Sequence, residues 1–219
     1  MIAHCQESKI QTAAEDPEAQ PVSSELAGPQ RAKAAADRVR PLLKERLAQS
    51  GLAWGNPVYL RIFKEESVLE LWMQPKPDSK FQLFKSYPIL AFSGQLGPKF
   101  AEGDRQAPEG FYAVGKRAMN PASRYHLSFN LGYPNAYDRH HGRTGSFLMV
   151  HGNQVSIGCY AMGDLQIEEI YSLCDAALQA GQPFFRVHCF PFKMTPTKMA
   201  QTAENESHEF WLNLKQGYD

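Results

Sequence analysis

The chain has 219 residues, enough for one domain of ordinary size plus appendages, with a core that needs no disulfide or metal to hold it. Lysine plus arginine balances aspartate plus glutamate at 23 each, which argues against an overall basic field of the kind that draws nucleic acid or an anionic membrane surface. The four cysteines (Cys5, Cys159, Cys174 and Cys189) form no C-x-x-C pair, so neither a zinc knuckle nor a disulfide-dense scaffold is expected, and a reactive thiol is left open.

In chain order, residues 1–30 open with a short run, Ile2-Ala3-His4-Cys5, that fits the end of a lipoprotein signal poorly, so lipidation at Cys5 is not expected. The stretch that follows is rich in Glu, Ala, Pro, Ser and Gln, cannot bury enough apolar surface to offset its ordering entropy, and reads as a flexible tether. Over residues 31–51, Ala35, Val39, Leu42, Leu43 and Leu47 recur at helical spacing and Gly51 follows as a stop, which predicts an amphipathic helix with Pro41 as a point of kinking. A hairpin is predicted from 58–63 and 68–73, with further strands at 81–92, 110–114, 125–132 and 147–151 between Gly, Pro and Asp punctuation. Helical periodicity returns after Gly163, with Asp164 as the predicted N-cap and Gly181 as the stop. One more strand at 184–190 and two weaker helical stretches in 193–219 complete a fold that is mainly β with peripheral helices. No stretch reaches the roughly 18 apolar residues of a membrane-spanning helix.

One segment carries chemistry. In Leu148-Met149-Val150-His151-Gly152-Asn153-Gln154-Val155-Ser156-Ile157-Gly158-Cys159-Tyr160 a histidine ends an apolar strand and a cysteine follows eight residues later, ahead of the predicted helix. A helix N-terminus and a protonated imidazole both stabilise a thiolate, so a lowered thiol pKa is expected. Gly152 and Gly158 permit backbone paths that fold the thiol toward the imidazole. Taken singly, a strand-end histidine and a small buried cysteine are ordinary structural residues, and spacing alone leaves the two readings level.

His151-Gly152 followed by Ser156-Ile157-Gly158-Cys159 resembles the signature of the L,D-transpeptidase (YkuD-like) family, and Pro108-Glu109-Gly110-Phe111-Tyr112 resembles that family's P-x-G-x-[FY] motif. The resemblance covers 57–192, read as the catalytic domain, and is closest to the YafK-like branch through Ser93-Gly94-Gln95-Leu96-Gly97-Pro98-Lys99, Asn130-Leu131-Gly132-Tyr133-Pro134-Asn135-Ala136-Tyr137-Asp138-Arg139 and Gln216-Gly217-Tyr218-Asp219. It implies a β-sandwich or barrel-like catalytic domain acting in the periplasm on peptidoglycan stem peptides, some of them lipoprotein-linked. Ile157 stands where the wider family often has a second histidine, and Ala161 where it has an arginine.

The roles implied are Cys159 as nucleophile and His151 as base, with a backbone carbonyl just after His151 as the orienter. The backbone N–H groups of Gly158 to Tyr160 are candidates for holding the oxyanion, and Ser156 for stabilising the loop. Meso-diaminopimelate carries both a carboxylate and an ammonium, so Arg139 and Asp138, with Lys99 more distant, are candidates for binding it, against the alternative that each is a solvated surface charge. No cofactor and no metal are expected, because adjacent His140 and His141 do not make a four-ligand site. Three functions stay open: acyl transfer between stem peptides, a hydrolytic amidase that releases lipoprotein from meso-diaminopimelate, and an inactive cell-wall binding module.

Overall fold

The computed structural model describes residues 20–219, so residues 1–19, Cys5 among them, lie outside the described part. The first helix, α1 (Gly28–Gln49), starts with Pro29 in its first turn and runs on through Pro41; its Ala35, Val39, Leu43 and Leu47 are buried. Its start and residues 22–26 fall inside the stretch expected to be a tether. They are ordered by polar contacts that no apolar count reveals: the Val22 N–H donates to Glu168 and the Arg31 guanidinium to the Ser123 and His126 carbonyls.

The predicted hairpin forms as β1 (Val58–Phe63) and β2 (Val68–Met73). With β3 (Gln82–Pro88), β4 (Gly110–Gly115) and β9 (Phe184–Phe190) it makes a five-stranded sheet in the order β3-β2-β1-β9-β4. Only the β1–β9 pair is parallel. A second sheet takes the order β5-β6-β7-β8, from β5 (Met119–Asn120), β6 (Ser128–Asn130), β7 (Met149–His151) and β8 (Tyr160–Ala161). Its strands are shorter than the predicted runs 125–132 and 147–151, because His126 and Phe147 take left-handed backbone angles that break the ladder.

Strand alternation sends Leu60, Ile62, Val187 and Val114 to one side of the large sheet, where they share a core with Phe129 and Val150 of the small one. The edge-to-face pair Phe129–Phe185, with ring centroids 5.3 Å apart, belongs to that core. Helix α3 (Asp164–Gln179) buries residues almost all round, because α1 covers its outer side; Gly163 rather than Asp164 is its N-cap. Short α2 (Ala136–His140) follows β6, while α4 (Pro196–Gln201) and α5 (His208–Tyr218) close a second apolar cluster of Phe63, Phe190, Phe192 and Trp211.

Two buried carboxylates tie these layers together. Lys64, placed by sequence in a polar turn, is fully buried and bonds Glu109 at 3.0 Å together with the carbonyls of Gln95, Gly97 and Ala107. Glu109 in turn accepts from the Gly97 N–H and the Trp211 indole. On the opposite side, Glu168 on α3 accepts from Arg38 of α1, from His126 and from the Val22 N–H. Burial alone would raise the Glu168 carboxyl, but the hydrogen bonds from His126, Val22 and Arg38 outweigh it and hold the group below its ordinary value.

Removing one partner of a buried pair strands the other charge, so Lys64→Met is expected to cost roughly 3–5 kcal/mol in urea unfolding, with partial recovery in Lys64→Met/Glu109→Gln. Equal losses in the single and double variants would contradict this. A carboxyl depressed on folding stabilises fully above its unfolded pKa and loses that contribution as pH falls through the folded value. The stability gap between the native chain and Glu168→Gln is therefore expected to be widest near neutral pH and to narrow below about 4.5, the carboxyl's ordinary value; a gap independent of pH would refute it.

Candidate active site

Strands β7 and β8 run parallel, with Val150 opposite Tyr160 and His151 opposite Ala161. One step back along this register Cys159 comes level with Met149, and His151 lies two residues beyond Met149, on the same face of the sheet. The Met149 N–H donates to Cys159 Sγ at 3.3 Å, and the thiol lies 3.6 Å from the Phe147 carbonyl. The small sheet thus brings Cys159 and His151 to one surface, although the seven residues 152–158 separate them.

His151 is 2% exposed, and its Nδ1 pairs with the Gly152 carbonyl. A carbonyl can only accept, so Nδ1 carries the proton and Nε2 is left as the basic nitrogen. The Tyr125 ring lies against the imidazole at a centroid distance of 4.7 Å. Gly152 is held by its N–H to the Tyr125 and Leu127 carbonyls at 3.0 and 3.1 Å. A Cβ at this position would come within 2.6 Å of Asp164 Oδ1 and 2.8 Å of the Tyr125 carbonyl, so glycine is a steric requirement here.

The expected lowering of the thiol pKa is corrected by the fold. Cys159 precedes a strand, and α3 begins only at Asp164, so no helix N-terminus faces it directly. Burial pushes the thiol up, against the Met149 N–H and the charge of Lys99. His151 is pushed down, by burial first, against its Gly152 hydrogen bond and the charge of Asp164. Both shifts favour the neutral thiol and the neutral imidazole over a standing thiolate–imidazolium pair, and no hydrogen bond joins the two side chains: the sulfur's partners are the Met149 N–H and the Phe147 carbonyl.

Ser156 closes the loop, its hydroxyl donating to the Cys159 carbonyl at 2.7 Å and accepting from the Gly158 N–H at 3.1 Å. The Gly158 N–H is therefore occupied, which corrects its expected availability for an oxyanion. Tyr160 is committed to the β7–β8 ladder, and its hydroxyl donates to the Pro108 carbonyl at 2.7 Å. Of the three amides considered, the Cys159 N–H is the one left for an incoming oxyanion.

The expected charged binders lie elsewhere. Asp138 is 1% exposed, forms a capping box with Asn135 and holds Arg143 at 2.8 Å, so it serves the α2 turn instead of a substrate, a correction its burial dictates. Arg139 is exposed but donates to the Pro134 carbonyl. Lys99 is buried with its ammonium on Asp104 and the Ala101 carbonyl, and reaches Cys159 only through its charge. Ala161 is fully buried in the sheet. Sequence reasoning missed the open cavity of about 520 Å³ lined by Phe147 and Met149, which contact the Cys159 sulfur, and by Asn130, Asn120 and Arg117 among others. The only sequence signal for it was the polar alternation of two short strands.

With this geometry in hand, the chain can be set beside known proteins. The family described as L,D-transpeptidase catalytic domain (YkuD) matches residues 60–207. The chain is 48% identical over 165 residues to "Putative L,D-transpeptidase YafK" of Escherichia coli K12, and equally to that of Escherichia coli O157:H7. Each match covers 75% of this chain and 66% of the relative. Among solved structures, the helical cell shape determining protein Pgp2 (K307A mutant) of Campylobacter jejuni is similar at 24% identity and a TM-score of 0.49, over 61% of this chain and 47% of its own. Bd1075 of Bdellovibrio bacteriovorus is similar at 22% and 0.42, over 63% and 49%.

Iodoacetamide labelling followed peptide by peptide should show the rate at Cys159 still climbing past pH 9, while buried Cys174 and Cys189 stay unlabelled in the folded protein. A Cys159 rate already on a plateau at neutral pH would mean a standing ion pair with His151 and would overturn this account.

Proposed function

The chain belongs to the YkuD family of L,D-transpeptidase catalytic domains, and on that premise we propose that it is a cysteine acyl-transfer enzyme acting on peptidoglycan stem peptides that contain meso-diaminopimelate. The observation that carries the reading is the pairing of Cys159 and His151 on one face of adjacent strands, with the imidazole tautomer fixed by Gly152.

In this reading Cys159 Sγ attacks the carbonyl carbon of a stem-peptide amide while His151 Nε2 takes the thiol proton. The tetrahedral oxyanion is met by the Cys159 N–H. Collapse breaks the C–N bond, His151 returns its proton to the leaving amine, and a thioester remains on Cys159. An amine or a water molecule then attacks the thioester, giving up a proton to His151, which passes it to the departing sulfur. Transfer to an amine joins two chains or attaches a lipoprotein, whereas transfer to water releases one; the site as described serves both. Peptidoglycan lies outside the cytoplasmic membrane, so the reading carries a periplasmic location with it. Among the described residues no helix is long and apolar enough to cross a membrane.

Tetrapeptide muropeptides and lysine-bearing tripeptide muropeptides, incubated separately with the protein and followed by mass spectrometry, test the proposal. A mass adduct on the Cys159 peptide is expected, with cross-linked product if an amine resolves it and loss of lysine if water does. Cys159→Ala should abolish the adduct and all turnover, and His151→Gln should slow turnover by about 10²–10⁴-fold. Full activity in Cys159→Ala would refute Cys159 as the nucleophile, and neither adduct nor product with either substrate would refute the reading and leave the binding module standing.

A further inference from the structure

The cavity next to Cys159 has a built direction. Its floor is the face of the small sheet that also carries the nucleophile: Met149 pairs with Asn130 across β7–β6, and Asn120 pairs with Ser128 across β6–β5. Side chains at these alternating positions share one face, so thioether and carboxamide groups lie in a row leading away from the thiol. Asn130 spends its carbonyl oxygen on the Gly132 N–H and keeps its two amide donors, while the Asn120 side chain has no hydrogen bond among the described residues. At the far edge, three residues before Asn120, stands Arg117 in a short 3-10 helix.

Arg117 is the one charged side chain among the residues lining this cavity. Its guanidinium has no ion pair and no hydrogen-bond partner among the described residues; several other arginines, Arg105 and Arg124 among them, are also without one, and what sets Arg117 apart is its place in the lining of this cavity. Crossing from β8 to β5 takes three inter-strand steps of about 4.8 Å, roughly 14 Å, which an extended peptide of about four residues spans. An amide-lined row that starts at the nucleophile and ends on an unpaired guanidinium suits a peptide carrying a carboxylate several atoms away from the bond under attack.

The geometry points to Arg117 as the residue that binds a free carboxylate of the acyl-donor stem peptide, with Asn120 and Asn130 pairing with its backbone on the way. The inference rests on the reading of Cys159 as the nucleophile of stem-peptide acyl transfer. It fixes direction as well: the donor chain lies over β6 and β5, and the attacking amine or water enters from elsewhere.

Binding to the Cys159→Ala protein, which cannot turn substrate over, separates the possibilities. Titration calorimetry would compare a stem tetrapeptide with forms in which each free carboxylate is amidated in turn. One amidation should weaken binding about ten- to a hundred-fold, the worth of a hydrogen bond to a charged group. Arg117→Gln in the same background should weaken the unmodified peptide by a similar factor and be indifferent to that amidation, while Arg117→Lys should recover part of the loss. Thermal melting should be unchanged, since the side chain is exposed and unpartnered. Tight binding that ignores both Arg117→Gln and every amidation would overturn the inference and leave the proposed function intact. Absence of any tetrapeptide binding would overturn both.

Discussion

The Lys64–Glu109 pair, fully enclosed between the large sheet and the C-terminal helices, fixes more of this molecule than any other contact. Burying two charges is expensive, and the cost is tolerable only when every donor and acceptor is used. Here the ammonium meets Glu109 and three carbonyls, and the carboxylate meets Lys64, the Gly97 N–H and the Trp211 indole. The end of β1, the 95–97 loop, the entry to β4 and α5 are thereby held against one another. Pro108, next to Glu109, accepts from the Tyr160 hydroxyl, so the residue following Cys159 is anchored to the same assembly.

Glu168 plays the corresponding part behind the histidine. It gathers α1 through Arg38, the residue-22 segment through its N–H, and the 125–127 loop through His126. That loop supplies the two carbonyls that grip Gly152, and Gly152 supplies the carbonyl that orients His151. The long first helix, whose purpose is opaque from its periodicity, thus supports His151 through two layers of contact. The segments carrying Cys159 and His151 are thus each tied to a buried carboxylate, Glu109 and Glu168 respectively.

Between these supports the electrostatics are subdued. Burial raises the thiol and lowers the imidazole, so both groups rest neutral. Around the thiol, Phe147, Val155 and Ile157 are 72%, 55% and 79% exposed. In the proposed reading, such a rim gives a bound peptide apolar surface to cover.

The hairpin 58–73, the strand 184–190, the helix from Asp164 and the mainly β character could all be read from apolar periodicity, because those elements bury a whole face each. Residue type and spacing raised Cys159 and His151 as candidates but left a structural reading level with a chemical one, and the family motifs tipped the balance. Strands of two or three residues such as β5 and β8 carry too little periodicity to announce themselves and exist because neighbouring strands pair with them. Lys64 sits in a charged turn, and nothing local says that it is buried; its partner Glu109, 45 residues on, decides it. The direction of the cysteine's pKa shift went the same way, since desolvation depends on what packs over a thiol rather than on its neighbours in the chain. Sequence by itself determined which residues could do chemistry, because that is a property of side-chain type and local spacing. Tertiary structure alone decided which of them share a face, which charges are already spent, and that Arg117 is not, because those facts depend on contacts between segments far apart in the chain.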